Sequence, residues 1–451
     1  MAPKYRFKTK NPQLTSNWNF ATEYYDRSRK ILDEALAKVA VYRSWKPLDP
    51  GPSTDIDSRF AALPALTKKD IREHFPKGML PEGADLDRAI ARGEVCLIET
   101  SGTTADKITN IWNQEWWDAS EAASWKLNSY MSQFATGNHR EAILVNPKNV
   151  GIKSDQVDLT LEQRSLSRFL YLNEKTDFSY WTPAYMERML EELALYQPAV
   201  LEANPSYLAR LCRYALSKGK AIFQPGVIVF TYEYPTSFHY RPIHQVFPDV
   251  PTVSSYGTTE TGYVFVECEK GRLHQNSEYC RVDFQPFKKE HGGPSLGRIL
   301  VTPLRNPWSY FLRFDTGDIV HLEETGKCDC GRDGGLILES VNGRAVNLTL
   351  TSKGRLVTLH ELDSALSVLA GIKEYQLVQT GDGVYELHLV SQRLDKEKLG
   401  KEAREVLKTL YGQDAVISLI YETEINPEIS GKYLISKALF PIEIEKYLEQ
   451  S

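Results

Sequence analysis

The sequence predicts an α/β protein: a large N-terminal domain of layered α/β subdomains plus a β-rich subdomain, followed by a small α+β C-terminal domain. Three observations carry this. The chain has 451 residues, more than one hydrophobic core usually organises, so two or more domains are expected. From Glu94 onward the short apolar runs "VCLIE", "EAILVNP", "GVIVFTYE" and "PTVSSYG" alternate with helix-patterned segments such as "PAYMERMLEELALY", as buried strands joined by helical crossovers do. Past "NGRAVN" the order of elements changes, which divides residues 1–343 from residues 344–451.

Taken in order, Asp26 to Trp45 carries Ile31, Leu32, Ala35, Leu36, Val39 and Ala40 at helical recurrence, until the prolines of "KPLDPGPSTD" break it. "LTKKDIREHFP" sets Thr67 and Asp70 at capping-box spacing and predicts another helix. After "GGPSLGRILVTPL" the pattern changes to shorter strands joined by polar turns, the β-rich subdomain. The tail reads as a strand "EYQLVQT", a turn "GDG", a strand "VYELHLV", a helix with Leu399, Ala403, Val406, Leu407 and Leu410 on one face, and a last strand "AVISLIYETEI".

Lys and Arg number 54 against 59 Asp and Glu, a net charge of -5, and no basic block offsets this locally, so a polyanion is not the expected partner. The basic start "MAPKYRFKTKNPQL" has no apolar core, and nowhere do about 18 apolar residues run together. The expectation is a cytoplasmic protein with neither membrane nor nucleic acid as partner. Six cysteines are too few for a disulfide framework at this length. Cys96 and Cys212 sit in apolar surroundings and are expected in the core, whereas Cys268, Cys280, Cys328 and Cys330 fall in polar, glycine-bearing stretches.

In "LIETSGTTADKITNIW" a hydroxyl-rich run follows an apolar segment. Gly102 permits close backbone approach, and Ser101, Thr103 and Thr104 add hydroxyl donors, the makings of an anion nest or simply of a polar turn. No Gly-Lys-Ser or Gly-Lys-Thr closes it, so it is not a Walker loop. "SSYGTTETG" offers Tyr256 as a stacking face, then Gly257, Thr258 and Thr259, and Glu260 as a hard oxygen donor suited to Mg²⁺. "RFDTGDIV" sets Asp318 after a glycine turn, where a carboxylate suits a ribose diol, and "PEISGKYLISK" sets Lys432 near the C-terminus, a cation suited to developing negative charge. Each also reads blandly, as core, turn or solvated surface.

The order of these segments resembles the adenylate-forming superfamily of acyl-CoA synthetases, adenylation domains and luciferases, and within it the phenylacetate-CoA ligase branch. The resemblance runs from "LTKKDIREHFP" through "SGTT", "YGTTETG", "EC" with "GRLH", "DTGD", "GR" and "SGK". It implies that Ser101, Gly102, Thr103 and Thr104 line the triphosphate of ATP. Tyr256 would lie against adenine, with Gly257 and Thr258 beside it, Thr259 near the α-phosphate and Glu260 on Mg²⁺. Asp318 would hold the ribose hydroxyls, with Arg344 close by at the domain hinge, and Lys432 would be the catalytic lysine, carried on a mobile C-terminal lid. The implied activity is ATP-dependent conversion of a carboxylic acid to an acyl-adenylate with release of pyrophosphate, then acyl transfer to a thiol such as CoA. The chain departs from the family where Thr104 is followed by "ADKITN", which displaces Lys107 from the usual lysine position, and where Asn347 stands at the hinge.

Cys268, His274, Cys328 and Cys330 supply three thiolates and an imidazole, a set suited to structural, tetrahedral Zn²⁺; some phenylacetate-CoA ligase relatives bind zinc at matching positions. Unrelated loop thiols are the alternative, and Cys280 is the reserve ligand. Trp112, Trp116, Trp117 and Trp125 crowd the segment after the hydroxyl-rich loop, and "DFSYWTPAY" adds rings. Helical spacing reads these as core first. Because the family builds its acid pocket from this helix and from the strand ends near "FTYEYPTSFH" and "SSYG", an aromatic acid is expected. A carrier-protein thiol or an amine stays open as the acceptor, a non-catalytic nucleotide-binding relative is the second class, and family members are often homodimers. A zinc-dependent nucleic-acid binder is disfavoured by the acidic balance.

Overall fold

The computed structural model describes residues 18–100, 107–426 and 433–449, so Ser101, Gly102, Thr103, Thr104 and Lys432 lie outside the described residues. The chain is a mixed α/β protein of two compact units. One comprises Met1–Gly137, Ser255–Ser340 and Tyr447–Ser451, the other Asn138–Ser254 and Val341–Lys446.

The first unit opens with helix Thr22–Lys38, which buries Tyr24, Tyr25, Ile31, Leu32, Ala35 and Leu36 along one face. It stops seven residues short of the expected Trp45. Val39 turns to an extended conformation and bridges Pro81, and the hydroxyl of Tyr42 donates to the Tyr310 carbonyl at 2.5 Å, so tertiary anchors replace the last helical turns with 3₁₀ segments Ala40–Ser44 and Lys46–Leu48. Helix Lys68–His74 carries the expected capping box: the Thr67 hydroxyl accepts from the Asp70 N–H, and the Asp70 carboxylate accepts from the Thr67 N–H.

The strand of "VCLIE" is Cys96–Glu99, and it corrects the expectation of a buried strand with a helical crossover. It pairs antiparallel with Thr109–Trp112, from Cys96↔Trp112 to Glu99↔Thr109. The first strand of this ribbon is largely exposed, Leu97 included, whereas Asn110 and Ile111 of the second are buried. Cys96, in that first strand, is exposed rather than core, whereas Cys212 is fully buried as expected.

The rest of this unit is β-rich. Cys280–Pro286 pairs antiparallel with Leu296–Pro303, which pairs antiparallel with Phe314–Leu322. Leu273–Gln275 lies between the strand at Ile337 and Leu338 and Gly262–Glu267, and Gly262–Glu267 pairs in turn with the second half of Thr252–Thr258.

In the second unit Val227–Phe230, Val200–Ala203, Glu141–Leu144 and Phe169–Tyr171 form a parallel ladder. Helices Pro183–Tyr196, Pro205–Lys218 and Ser237–Val246 cover one face of it. The helices start where the local chemistry allows: Thr182 and Thr236 cap, and Pro183 and Pro205 take the first turn, where no backbone donor is needed. Phe178, Trp181 and Tyr185 from "DFSYWTPAY" pack with Tyr207 and Leu208 in this core.

The C-terminal part of this unit has the expected order. Ile372–Gly381 and Val384–Ser391 form a hairpin, flanked in parallel by Val416–Tyr421 and Ser436–Ala438. Helix Lys396–Tyr411 packs Leu399, Ala403 and Leu407 into the core, with Val406 and Leu410 against its edge. Among the described residues no helix is long and apolar enough to cross a membrane.

Candidate nucleotide and metal sites

The segment "SSYGTTETG" is the end of strand Thr252–Thr258 and the tight turn that follows. Pairing slips by one residue between Tyr256 and Gly257, a bulge that re-aims the side chains on either side of it. Gly257 is required there, since a Cβ would stand 2.5 Å from the Gly262 carbonyl oxygen. Thr261 closes the turn: its N–H donates to the Thr258 carbonyl and to the Thr258 hydroxyl, both at 3.2 Å, and the two hydroxyls lie 2.9 Å apart. Gly262, at φ +72°, would bring a Cβ within 2.7 Å of the Trp116 ring. The Asn110 side-chain amide holds the far side by donating to the Thr259 carbonyl at 2.8 Å. The turn is therefore set rigidly, with Glu260 at its tip, 5 % exposed. No hydrogen bond or ion pair satisfies the Glu260 carboxylate among the described residues. A carboxylate at that turn is a hard oxygen donor of the kind a divalent cation takes.

Asp318 lies in strand Phe314–Leu322 behind Gly317, which is at φ +73°. The Asp315 carboxylate accepts from the Gly317 N–H at 2.9 Å, and the Thr316 hydroxyl accepts from the Asp318 N–H at 3.2 Å, so the turn before Asp318 is held on both sides. The Tyr256 hydroxyl donates to Asp318 Oδ2 at 2.7 Å and reaches Thr316 Oγ1 at 3.3 Å. Tyr256 and Asp318, far apart in the chain, are thus joined directly, with Glu260 four residues along from Tyr256. Thr316 and Asn110 escaped the sequence reading. Strand alternation in "FDTGD" places Thr316 on the face of Asp318 and was the available signal; nothing local marks Asn110.

Arg344 belongs to the other compact unit. Its N–H donates to the Asn347 side-chain carbonyl at 3.4 Å, and Asn347 is tied to Ser436 by two further bonds, Asn347 Nδ2 to the Ser436 carbonyl at 2.9 Å and Ser436 Oγ to the Asn347 carbonyl at 2.6 Å. Lys107 is on the surface, 3.5 Å from Glu99.

The cysteines and histidine converge. Ligand atoms of Cys268, His274, Cys328 and Cys330 all lie within 4.8 Å of one another. Two thiolates at about 2.3 Å from a tetrahedral Zn²⁺ stand roughly 3.8 Å apart; Cys268 Sγ and Cys328 Sγ are 3.6 Å apart, and Cys330 Sγ and His274 Nε2 3.3 Å. Turns present the thiols. The Lys270 N–H points at Cys268 Sγ (3.4 Å) and the Arg332 N–H at Cys330 Sγ (3.5 Å), while Gly271 and Gly331, both at positive φ, close the loops onto the Cys268 and Cys328 carbonyls. Burial, then the charge of Arg332, pushes His274 down to about 4, so the imidazole is neutral and able to bind metal. Burial pushes Cys328 up to about 12. Burial also acts to raise Cys330, but the Arg332 N–H and the neighbouring thiols outweigh it and hold that thiol below its ordinary range. Cys280 is not part of the cluster: it is fully buried and points its thiol at the Asn276 carbonyl, 3.3 Å away.

Helix Gln114–Trp125 is capped by Asn113, whose side chain accepts from the Trp116 N–H at 2.8 Å. Trp116 and Trp125 are core, and the Trp116 indole donates to the Leu304 carbonyl at 2.9 Å. Trp117 is half-buried between Trp112 and Tyr263, with ring centroids 4.3 and 5.0 Å away, and the Tyr263 hydroxyl donates to the Glu121 carboxylate at 2.6 Å. Sequence patterning separates these roles poorly, because consecutive tryptophans on a helix face different directions.

No family model and no curated protein matches the chain. Solved structures do. A 2-hydroxyisobutyryl-CoA ligase in the postadenylation state in complex with R3-HIB-AMP matches with a TM-score of 0.69 at 15 % identity, over 97 % of this chain and 94 % of that one. The same enzyme with 2-HIB-AMP matches at 0.66 and 15 % identity, over 94 % and 92 %, and in an open conformation with 2-HIB-AMP and CoA at 0.57 and 15 %, over 98 % and 97 %. Likeness at this identity is likeness of architecture, and over nearly its whole length the chain has the fold of these adenylate-forming acid-CoA ligases.

Proposed function

We propose that the protein is a ligase that activates a carboxylic acid with ATP, forming an acyl-adenylate and pyrophosphate, and then passes the acyl group to a thiol, that of CoA. One carboxylate oxygen of the acid attacks the α-phosphorus as the bond to the pyrophosphate oxygen breaks. The thiolate then attacks the acyl carbon, and AMP leaves with the oxygen the acid contributed. Such chemistry asks the protein to position anions and neutralise charge, and no nucleophilic side chain is needed.

The observation that supports this most is the direct bond between Tyr256 and Asp318 beside the rigid turn that carries Glu260. Asp318, held by Thr316 and Tyr256, accepts the ribose hydroxyls; the Tyr256 ring offers a face for adenine; Thr259 lies by the α-phosphate; and Glu260 holds Mg²⁺, which neutralises phosphate charge when bound. Ser101, Gly102, Thr103 and Thr104 line the phosphates. Lys432 delivers its charge from residues 344–451 acting as a lid, with Arg344 and Asn347 at the hinge. Helix Gln114–Trp125, with Trp117 half-buried on it, contributes to a pocket for an aromatic acid. Cys268, His274, Cys328 and Cys330 hold a structural Zn²⁺, closed by four protein ligands and so unable to activate water.

A second reading, a non-catalytic nucleotide-binding protein, is favoured by one feature: "ADKITN" after Thr104 leaves Lys107 paired with Glu99 at the surface. Incubation with ATP, Mg²⁺ and a panel of aryl acids, following AMP and pyrophosphate with and without CoA, separates the two. The ligase releases both products with at least one acid; a binding protein releases neither.

A further inference from the structure

We propose that Arg332, oriented by Glu269, is the residue outside the ligand set that holds the Cys268, His274, Cys328 and Cys330 cluster in metal-binding geometry and ties it to the chain at Ser129. The inference rests on the reading of that cluster as a zinc site and concerns two residues the reading does not use.

Three thiolates and a neutral imidazole around Zn²⁺ carry a formal charge of minus one, so the site gains from a cation placed against it. Arg332 is that cation. It follows Cys330 by two residues, its N–H points at Cys330 Sγ (3.5 Å), and its Nη1 lies 2.9 Å from both oxygens of Glu269. Glu269 immediately follows Cys268. The two metal loops, far apart in sequence, are therefore joined twice: once through the ligand atoms, and once through this ion pair a single residue beyond one ligand and two beyond another. The pair is only partly exposed, its side chains 26 % and 21 % accessible, which protects it from the screening that makes surface pairs weak.

The same carboxylate reaches further. Glu269 Oε2 accepts from the Ser129 N–H at 3.4 Å, and two residues earlier the Glu267 carbonyl accepts from the Asn128 side chain at 2.8 Å. Asn128 is almost fully buried and caps the turn Ser129–Ser132 through the Tyr130 and Met131 N–H groups, while its own N–H donates to the Trp125 carbonyl at 3.2 Å. The strand end that bears Cys268 thus carries, on both sides of that ligand, the contacts that fix the exit of helix Gln114–Trp125.

The test measures Zn²⁺ affinity of the full chain by competition with a chromophoric chelator, and amide hydrogen exchange at residues 128–131 with and without Zn²⁺. Arg332→Ala keeps the backbone N–H and removes the charge; it is expected to weaken Zn²⁺ by about 10- to 100-fold. Because Glu269 acts through Arg332, the double variant Arg332→Ala with Glu269→Ala is expected to bind no more weakly than Arg332→Ala alone. Arg332→Lys restores part of the affinity, and exchange at 128–131 slows on adding Zn²⁺ in the wild type. Each variant is checked for folding by its thermal midpoint in saturating Zn²⁺. Affinity of Arg332→Ala within about threefold of wild type, or losses that multiply in the double variant, overturns the proposal. A wild type that takes up no Zn²⁺ rejects the metal reading itself, and the proposal with it.

Discussion

Replacing Tyr256 by Phe isolates the phenol from the ring. The substitution keeps the aromatic face and removes one hydrogen bond, the 2.7 Å O–H donation to Asp318 Oδ2 with its longer reach to Thr316. Hydrogen bonds to a charged acceptor are worth about 1.5–3 kcal/mol. Tyr256 is half-buried, so water replaces part of the bond and the lower end of that range applies. The nucleotide does not form this bond; it gains from it, because Asp318 is already fixed when ribose arrives. The loss then appears as the cost of ordering Asp318 on binding, about 1.5 kcal/mol, or roughly a tenfold rise in Kd. Asp318→Ala removes the acceptor altogether and is expected to weaken binding about 10- to 100-fold. Calorimetric titration with the non-hydrolysable α,β-methylene ATP, in parallel with its 3′-deoxy counterpart, reads both effects. Wild type prefers the ribose form, Tyr256→Phe retains a reduced preference, and Asp318→Ala loses it. Unchanged affinity in both variants refutes the ribose role of Asp318; unchanged affinity in Tyr256→Phe alone refutes the alignment argument.

Other consequences follow from the same geometry. Gly262→Ala forces a Cβ to within 2.7 Å of the Trp116 ring at φ +72° and is expected to destabilise the protein by about 1–3 kcal/mol, seen as a lower midpoint in urea; an unchanged midpoint rejects the picture of a rigid turn. Cys328→Ser should release about one Zn²⁺ per chain and lower the thermal midpoint, which elemental analysis and calorimetry check. Glu141 is buried, and burial raises its carboxyl to about 7 against the opposing charge of Arg168, with His139 Nε2 3.1 Å away. A carboxyl raised on folding holds its proton longer than the unfolded chain does, so its contribution to stability falls as pH climbs from the ordinary carboxylate range toward 7. Glu141→Gln is therefore expected to gain stability relative to wild type at pH 8 compared with pH 5, measured by urea unfolding, and a pH-independent difference contradicts this.

Much of the architecture was legible because local chemistry and tertiary structure agree. Thr67 and Asp70 form their capping box, "GDG" turns a hairpin, and Leu399, Ala403 and Leu407 face inward as their period requires. The sequence reading failed where a distant partner decides. Val39 leaves its helix for a bridge to Pro81, and Cys96 is exposed on the first strand of a two-stranded ribbon. Residue types flagged Tyr256, Glu260, Asp318 and the cysteine–histidine set, whose chemistry is written in their side chains. The contact that closes the Glu260 turn, between the Thr258 and Thr261 hydroxyls, was not readable, since it follows from backbone conformation and not from residue type. Arg332 and Glu269 left no trace, because an ion pair between two loops has no spacing signature.

The most direct measurement follows one oxygen atom. With an aryl acid from the panel that supports AMP release, labelled with ¹⁸O in its carboxyl group, and with ATP, Mg²⁺ and CoA, attack on the α-phosphorus transfers one labelled oxygen to AMP, which mass spectrometry of the nucleotide detects. Labelled AMP, accompanied by pyrophosphate and the acyl thioester of that acid, is the predicted result; label in inorganic phosphate alongside ADP, or AMP formed without label, contradicts it.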